Sequence, residues 1–184
     1  MAHPRELIRK QAVARLLNKT SAGASVYASR IEPFISNDWE DQLPAIVVYT
    51  QDESGEIWTA APREYRRSVE LVVEIHASGD STLDDTLDTV ARQVEIELLK
   101  DDTLGGTVED LRYARTRMVL RDEGQTLLGG CRISFEADYI DAHPNADFNA
   151  SLPNLNTVAT DFSLNNEQTD PADRAKSIIE GLNP

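Results

Sequence analysis

The side chains that are able to do chemistry are few in this chain, and their spacing does not join them into a site. The histidines His3, His76 and His143 are far apart, and none has a second histidine at the four-residue helical spacing that holds a metal ion. The single cysteine, Cys131, allows no internal disulfide and no thiolate cluster. Its place on the inward face of a predicted strand is typical of a small buried apolar residue.

Two further patterns resemble chemical motifs, and each has a structural explanation. The segment from Gly124 to Cys131 has the glycine spacing of a phosphate loop but lacks the lysine and hydroxyl pair that hold phosphate and metal, so it favours a hairpin. Asp84 and Asp88 offer a divalent-ion site, but they begin a predicted helix, where the backbone dipole favours carboxylates without any ion. We therefore predict a protein that is not an enzyme and has no cofactor and no metal site.

Composition narrows the partners of the chain. The net charge of −14 argues against nucleic-acid binding, because phosphate binding needs clustered Lys and Arg. No run approaches the ~20 apolar residues of a bilayer span, and the N-terminus lacks an apolar signal core. With a single cysteine, these features predict no membrane partner and synthesis in a reducing cytoplasm.

A helix is predicted from Pro4 to Asn18, with its apolar positions spaced four residues apart. Its polar positions are mostly basic. They offer either a docking surface for an acidic neighbour or a solvated face that pairs with the domain's own carboxylates. These basic residues are Arg5, Arg9, Lys10 and Arg15.

Two strands with a polar connection follow. A short strand is predicted at Val26–Ile31 and longer ones at Ala45–Thr50 and Tyr65–His76. The connection, Gln51–Glu64, is predicted as an exposed loop whose Trp58 is either a contact anchor or folded back on its own domain. Its candidate contact residues are Glu53, Glu56 and Trp58.

A second helix is the strongest periodic pattern. Asp80 or Ser81 is placed to cap it, and its buried stripe is predicted to be Leu83, Leu87, Val90, Ala91, Val94 and Leu98. Ile96 and Leu99 lie off this stripe, so they mark either a second buried contact or a subunit interface.

The last hairpin completes the predicted domain. Leu127–Tyr139 alternates between inward apolar and outward polar residues. Leu111–Arg121 is predicted as a strand with Ala114, Thr116, Met118 and Leu120 on one face. Its other face is predicted to carry Tyr113, Arg115, Arg117, Val119 and Arg121. The fold class is therefore α+β, a mostly antiparallel sheet of about four to five strands with two helices packed on one face, the other face being charged.

The C-terminal part has a different composition. Residues 1–141 form the predicted domain, and residues 142–184 form an extended acidic arm whose scattered apolar residues cannot build a core. A short terminal helix is predicted at about residues 171–182. We expect it to dock on a surface through Ile178, Ile179 and Leu182.

The order and character of these elements resemble the tail terminator proteins of long-tailed phages, the lambda-type minor tail protein U family. The resemblance covers roughly residues 4–141. It rests on the first helix, the strands Leu43–Thr50 and Tyr65–Ala77, the Leu83–Leu99 helix and the Arg112–Asp141 hairpin. It implies a non-enzymatic virion structural protein that forms a homohexameric ring at the head-proximal end of the tail tube. The long arm departs from the shorter members of that family.

The partners that the resemblance implies are other copies of the chain, the tail tube protein and the head–tail connector or neck proteins. The ring would end tube polymerisation, take part in head–tail joining in the virion and let DNA pass without specific binding, after assembly in the host cytoplasm. Another phage neck, tail-completion or tube-like protein is one alternative. A small metal- or ligand-binding domain is the other.

Overall fold

The structure is a computed structural model that describes the backbone of residues 2–28, 42–79, 81–122, 127–142, 157–163 and 174–180. Side chains are described for these residues except 119–122, 127, 157–163 and 174–180. The chain divides into two compact units, Met1–His143 and Pro144–Pro184. No helix of the described residues is long and apolar enough to span a membrane.

Helix α1, Pro4–Leu16, begins with proline in its first turn, and the His3 side chain accepts a hydrogen bond from the Arg5 backbone N–H at 3.2 Å. Ile8, Ala12 and Leu16 are fully buried, as their spacing predicts. The helix ends two residues before the predicted Asn18, which has a positive φ of 58° and turns the chain away.

The larger unit has a five-stranded sheet. Its strands are β1 (Val26–Tyr27), β2 (Ala45–Ala60), β3 (Arg63–Gly79), β4 (Asp110–Asp122) and β5 (Leu127–Ala142). Their order across the sheet is β1-β2-β3-β5-β4. The β1–β2 pair is parallel and the other three pairs are antiparallel, so the predicted mostly antiparallel α+β fold is confirmed. Of the predicted strand Val26–Ile31, residues 29–31 lie outside the described part.

Both helices cover one face of this sheet. Helix α2, Leu83–Leu99, buries its whole predicted stripe against the inward residues of β3 and β5, with Phe135 and Leu71 among the largest buried side chains. Its N-cap is Thr82 and not the predicted Ser81, while Asp80 lies outside the described residues. The opposite face, called the open face below, has a small apolar cluster of Val47, Tyr49 and Val72 and is otherwise mostly polar.

The predicted loop Gln51–Glu64 is wrong, because β2 continues through it to Ala60 and turns at Ala61–Pro62 into β3. Glu56 pairs with Arg66 and Ala60 with Arg63, and an irregularity between Thr50 and Glu53 takes up the polar start of the segment. Strand pairing uses backbone groups, so it does not require apolar side chains. Both faces of this hairpin meet solvent, which removes the apolar alternation that would have revealed it.

Strand β4 contains a bulge that changes one predicted face. Tyr113 pairs with Phe135, but Arg115 pairs with Ser134, so Ala114 is the additional residue. Tyr113 therefore lies on the helix side, where its ring meets that of Phe135 edge-on at 6.3 Å, and not beside Arg115 as predicted. Arg112 takes its place on the open face.

The second unit has one described pair of strands. Strand β6, Thr157–Ser163, lies antiparallel to β7, Arg174–Glu180. The helix predicted at about 171–182 is wrong over β7, since so short a segment satisfies its backbone better by pairing with a second strand than as a single marginal helix. The rest of that prediction, Leu182 included, lies outside the described residues.

Candidate interaction surface

Residues 53–67, the end of the β2–β3 hairpin, are called the exposed hairpin below. Two large apolar side chains of this segment are exposed to solvent. Ile57 is 58% exposed and Trp58 is 52% exposed. The Arg66 guanidinium lies 5.5 Å from the centroid of the Trp58 ring, which holds one side of the indole by a cation–π contact. Trp58 is therefore oriented by its own hairpin and about half exposed, and its role as a contact anchor stays a prediction.

The base of the exposed hairpin is held by Glu53. Its carboxylate accepts a hydrogen bond from the Tyr139 hydroxyl and lies 3.6 Å from Arg67 and 3.8 Å from Arg5 of α1. Burial, with the adjacent Glu53 carboxylate, raises the pKa of Tyr139 and keeps its hydroxyl protonated. Arg67 also pairs with Asp141 of β5 at 3.2 Å. Glu53 thus fixes the hairpin to the domain and is not a free contact residue, whereas Glu56 is exposed.

The open face has the opposed charges that the sequence predicts, and register brings them into pairs. Arg115 of β4 lies 3.1 Å from Glu70 of β3, and Arg132 of β5 lies 3.9 Å from both Glu70 and Glu74. The nearby Ser134 hydroxyl, with Arg115 and the charge of Arg132, lowers the pKa of Glu70, although burial opposes this change. The carboxylate of Glu70 is therefore kept ionised in the folded protein.

Arg112 forms a second cluster that the sequence analysis missed. Its guanidinium lies 2.5 Å from Asp110, 3.0 Å from Asp138 and 3.3 Å from Glu136. Asp138 is buried and also lies 3.5 Å from Arg66. These hydrogen bonds raise the pKa of Arg112, so it remains charged. The acidic residues of this cluster on β5 were visible in the sequence as the outward polar positions of that strand. The bulge that moves Arg112 to this face was not visible in the sequence.

A groove of about 440 Å³ lies on the open face between β2 and β4. Half of its lining residues are acidic, and Asp52, Glu70 and Glu136 line it together with Arg115. A smaller pocket of about 120 Å³ has Arg115, Arg117 and Arg132 around it. Arg117 lies directly opposite Arg132 in register, a like-charge pair, and no ion pair to Arg117 is present among the described side chains.

The basic face of α1 pairs with the protein's own acids. Arg15 bonds Asp101, Lys10 lies 2.6 Å from Glu6, and Arg9 donates to the Thr50 hydroxyl at 3.4 Å. Hydrogen bonds from Thr103 and from the Gly105 backbone, with the charge of Arg15, lower the pKa of Asp101 to about 2. Together with the Arg5–Glu53 contact, this favours the self-paired interpretation of the helix over a docking surface for another protein.

Of the remaining predicted contact residues, the side chains of some are described in the structure and those of others are not. Ile96 is 50% and Leu99 40% exposed at the end of α2, so the buried-contact alternative is wrong in the isolated chain. Arg121 lies in β4 opposite Leu128, and Ile178 and Ile179 lie in β7, but the side chains of these three are not described.

The groups able to do chemistry stay separate in the described part of the chain. Burial, with Asp88 and Glu95 nearby, raises the pKa of the Cys131 thiol to about 11, which favours the protonated thiol at neutral pH. No group of three or more His, Cys, Asp or Glu side chains is close enough to hold a metal among the described residues, which include Asp84 and Asp88. A Cβ at Gly129 would lie 2.7 Å from Leu87 Cδ1, so that glycine serves helix packing.

The chain matches no protein-family model and no curated protein sequence.

Proposed function

We propose that this protein is a virion structural subunit, a tail terminator that forms a hexameric ring on the head-proximal end of a phage tail tube. The observation that supports it most is the exposed hairpin. A two-stranded projection with a half-exposed aromatic side chain is suited to insertion between protein subunits, where buried aromatic residues contribute much of the binding energy. It is less suited to enclosing a substrate.

The charge of the molecule supports the same role. A ring made of subunits with a net charge of −14 repels DNA phosphates, so DNA would pass through it without adhering. A closed ring also needs two different patches that fit each other, and the groove face offers acidic and basic zones at separate places. The ring would contact the tube on one side and the head connector on the other.

The test is tube capping in vitro. Tail tube protein is polymerised with the wild-type protein or with the variant Trp58→Ser, and tube ends and lengths are measured by electron microscopy. Because Trp58 is the proposed anchor, we expect wild-type protein to cap tubes and the variant to require at least about tenfold more protein. Leu17→Ser is the matched control, since Leu17 is similarly exposed but lies outside the hairpin. Wild-type protein that never binds tube ends would overturn the proposal.

A tube-like or neck protein of the same fold is the second candidate. The observation that favours it is the long sheet whose β2 and β4 edges have no strand partner among the described residues, which suits continuous assembly as well as a single ring. In the capping assay a tube-like protein would join the growing tube and lengthen it, whereas a terminator would stop it.

A further inference from the structure

Two long strand edges of the sheet have no partner among the described residues. Strand β4, 13 residues long, pairs only with β5. Strand β2, 16 residues long, pairs with β1 only at Ile46 and Val47, so its outer edge from Val48 to Ala60 is also unpaired within that part of the chain. Such edges present rows of backbone N–H and C=O groups that are ready to pair with another strand.

The directions of the two edge strands make them fit each other. The β2–β3, β3–β5 and β5–β4 pairs are all antiparallel, so β2 and β4 run in opposite directions. If β2 of a second copy lay beside β4, that pair would also be antiparallel. The helices of both copies would then lie on the same side of one continuous sheet.

The charges of the two edges are opposite. On β4, Arg112, Arg115 and Arg117 lie on the open face, and Arg117 faces the like charge of Arg132. On β2, Asp52 and Glu56 are exposed, and no ion pair to either is present among the described side chains. If β2 of a second copy lay beside β4, the carboxylates of that β2 would come close to Arg117. They would offset the repulsion between Arg117 and Arg132 of its own chain.

We propose that the outer edge of β4 pairs with the β2 edge of a second copy of this chain, head to tail, with Arg117 facing the acidic segment 52–56. As a contact between subunits it deepens the proposed function, and only the closure of such contacts into a ring rests on that proposal. Pairing of β4 with β4 would instead place arginines against arginines, which charge repulsion opposes.

The competing explanation is that the charges and bulges protect both edges against self-association, as in many sheets. Protection is most effective when both edges have the same sign of charge, because any two edges then repel each other. Here one edge is basic and the other acidic, which attracts copies of the chain to one another. The charge pattern therefore favours pairing.

A charge-reversal experiment with mixing tests the contact. Arg117→Glu and Glu56→Arg are each measured by sedimentation at concentrations where the wild-type chain assembles, and then as an equimolar mixture. Each variant alone brings like charges together at every contact, so we expect self-association to weaken by at least about tenfold. In the mixture, the β4 edge of the Arg117→Glu variant can pair with the β2 edge of the Glu56→Arg variant, which restores opposite charges. The other contact, between β4 of the Glu56→Arg variant and β2 of the Arg117→Glu variant, is native. Assembly should return, with the two variants alternating around a ring of even number.

Arg92→Glu is the control, because Arg92 is exposed on α2 and belongs to neither edge. Circular dichroism checks that each variant is folded. Wild-type assemblies that tolerate both reversals, or a mixture that stays dissociated, would overturn the edge contact, and so would a wild-type chain that is monomeric at its highest soluble concentration. Tube capping is measured separately, so the terminator function can fail while this contact stands, or the reverse.

Discussion

Asp138 shows how one residue on a solvent-facing strand position becomes structural. Burial alone would raise the pKa of its carboxyl, but hydrogen bonds from Ser68 and Arg112 and the charge of Arg66 outweigh it, so the pKa is lowered. The carboxylate is ionised and buried, and it joins β3, β4 and β5 at their polar end. Removing its charge would leave two guanidinium groups with less compensation.

At this scale we predict that Asp138→Asn lowers the free energy of unfolding by about 1–3 kcal/mol, because it removes the negative charge from a buried hydrogen bond with Arg112. Urea unfolding followed by circular dichroism measures the change. Glu136→Gln is the matched control, since Glu136 contacts the same guanidinium at 3.3 Å but is exposed. We expect a loss of about 0.5 kcal/mol or less for it. Equal losses in the two variants would contradict this account of burial.

At the scale of elements, the contact between α2 and β5 sets the distance between this helix and the sheet. Gly129 of β5 lies under the helix, and an added Cβ would be 2.7 Å from Leu87 Cδ1 and 3.1 Å from Leu83 Cδ2. The glycine spacing that resembles a phosphate loop in the sequence is therefore explained in part by close packing.

We predict that Gly129→Ala destabilises the protein by about 1–3 kcal/mol, because two buried leucines must leave their positions to admit the methyl group. Thermal and urea unfolding measure it. Gly55→Ala in the exposed hairpin is the comparison, where the nearest atom, Arg67 Cγ, is 3.3 Å away on a flexible side chain. Its cost should be below about 1 kcal/mol. If Gly55→Ala were the more damaging change, the packing argument would be wrong.

At the scale of the whole molecule, the chain divides into two compact units. The core cluster lies wholly within the first unit, and its strands and helices complete one sheet and one helix layer. We predict that a chain ending at His143 folds cooperatively and keeps the unfolding midpoint of the full chain within the error of the measurement.

If the second unit binds a neighbouring subunit, as the sequence suggests for Ile178, Ile179 and Leu182, the same truncation should weaken self-association. Sedimentation of the truncated and full-length chains at matched concentrations measures this. Identical association would remove the second unit from the assembly contacts, while loss of folding would show that the first unit depends on it.

The sequence itself determined the elements whose apolar residues repeat with a clear period. The stripes of α1 and α2 and the inward faces of β3 and β5 are buried as predicted, because burial of one face leaves a 3.6-residue or two-residue pattern in the sequence. The α+β class followed from those elements. The charged open face was visible for the same reason, as the polar half of the alternation.

Only the tertiary structure decided where strands pair in segments whose composition predicts a loop or a helix. The exposed hairpin is polar and alternates weakly, so its strands become apparent only when β2 lies beside β3. The bulge at Ala114 moves Tyr113 inward and Arg112 outward, and β7 forms where a helix was predicted because β6 supplies its backbone partner. The strand order also leaves the outer edges of β2 and β4 without a partner within the described part of the chain. Backbone hydrogen bonds between distant segments determine these features, and they leave no periodic signal in one sequence.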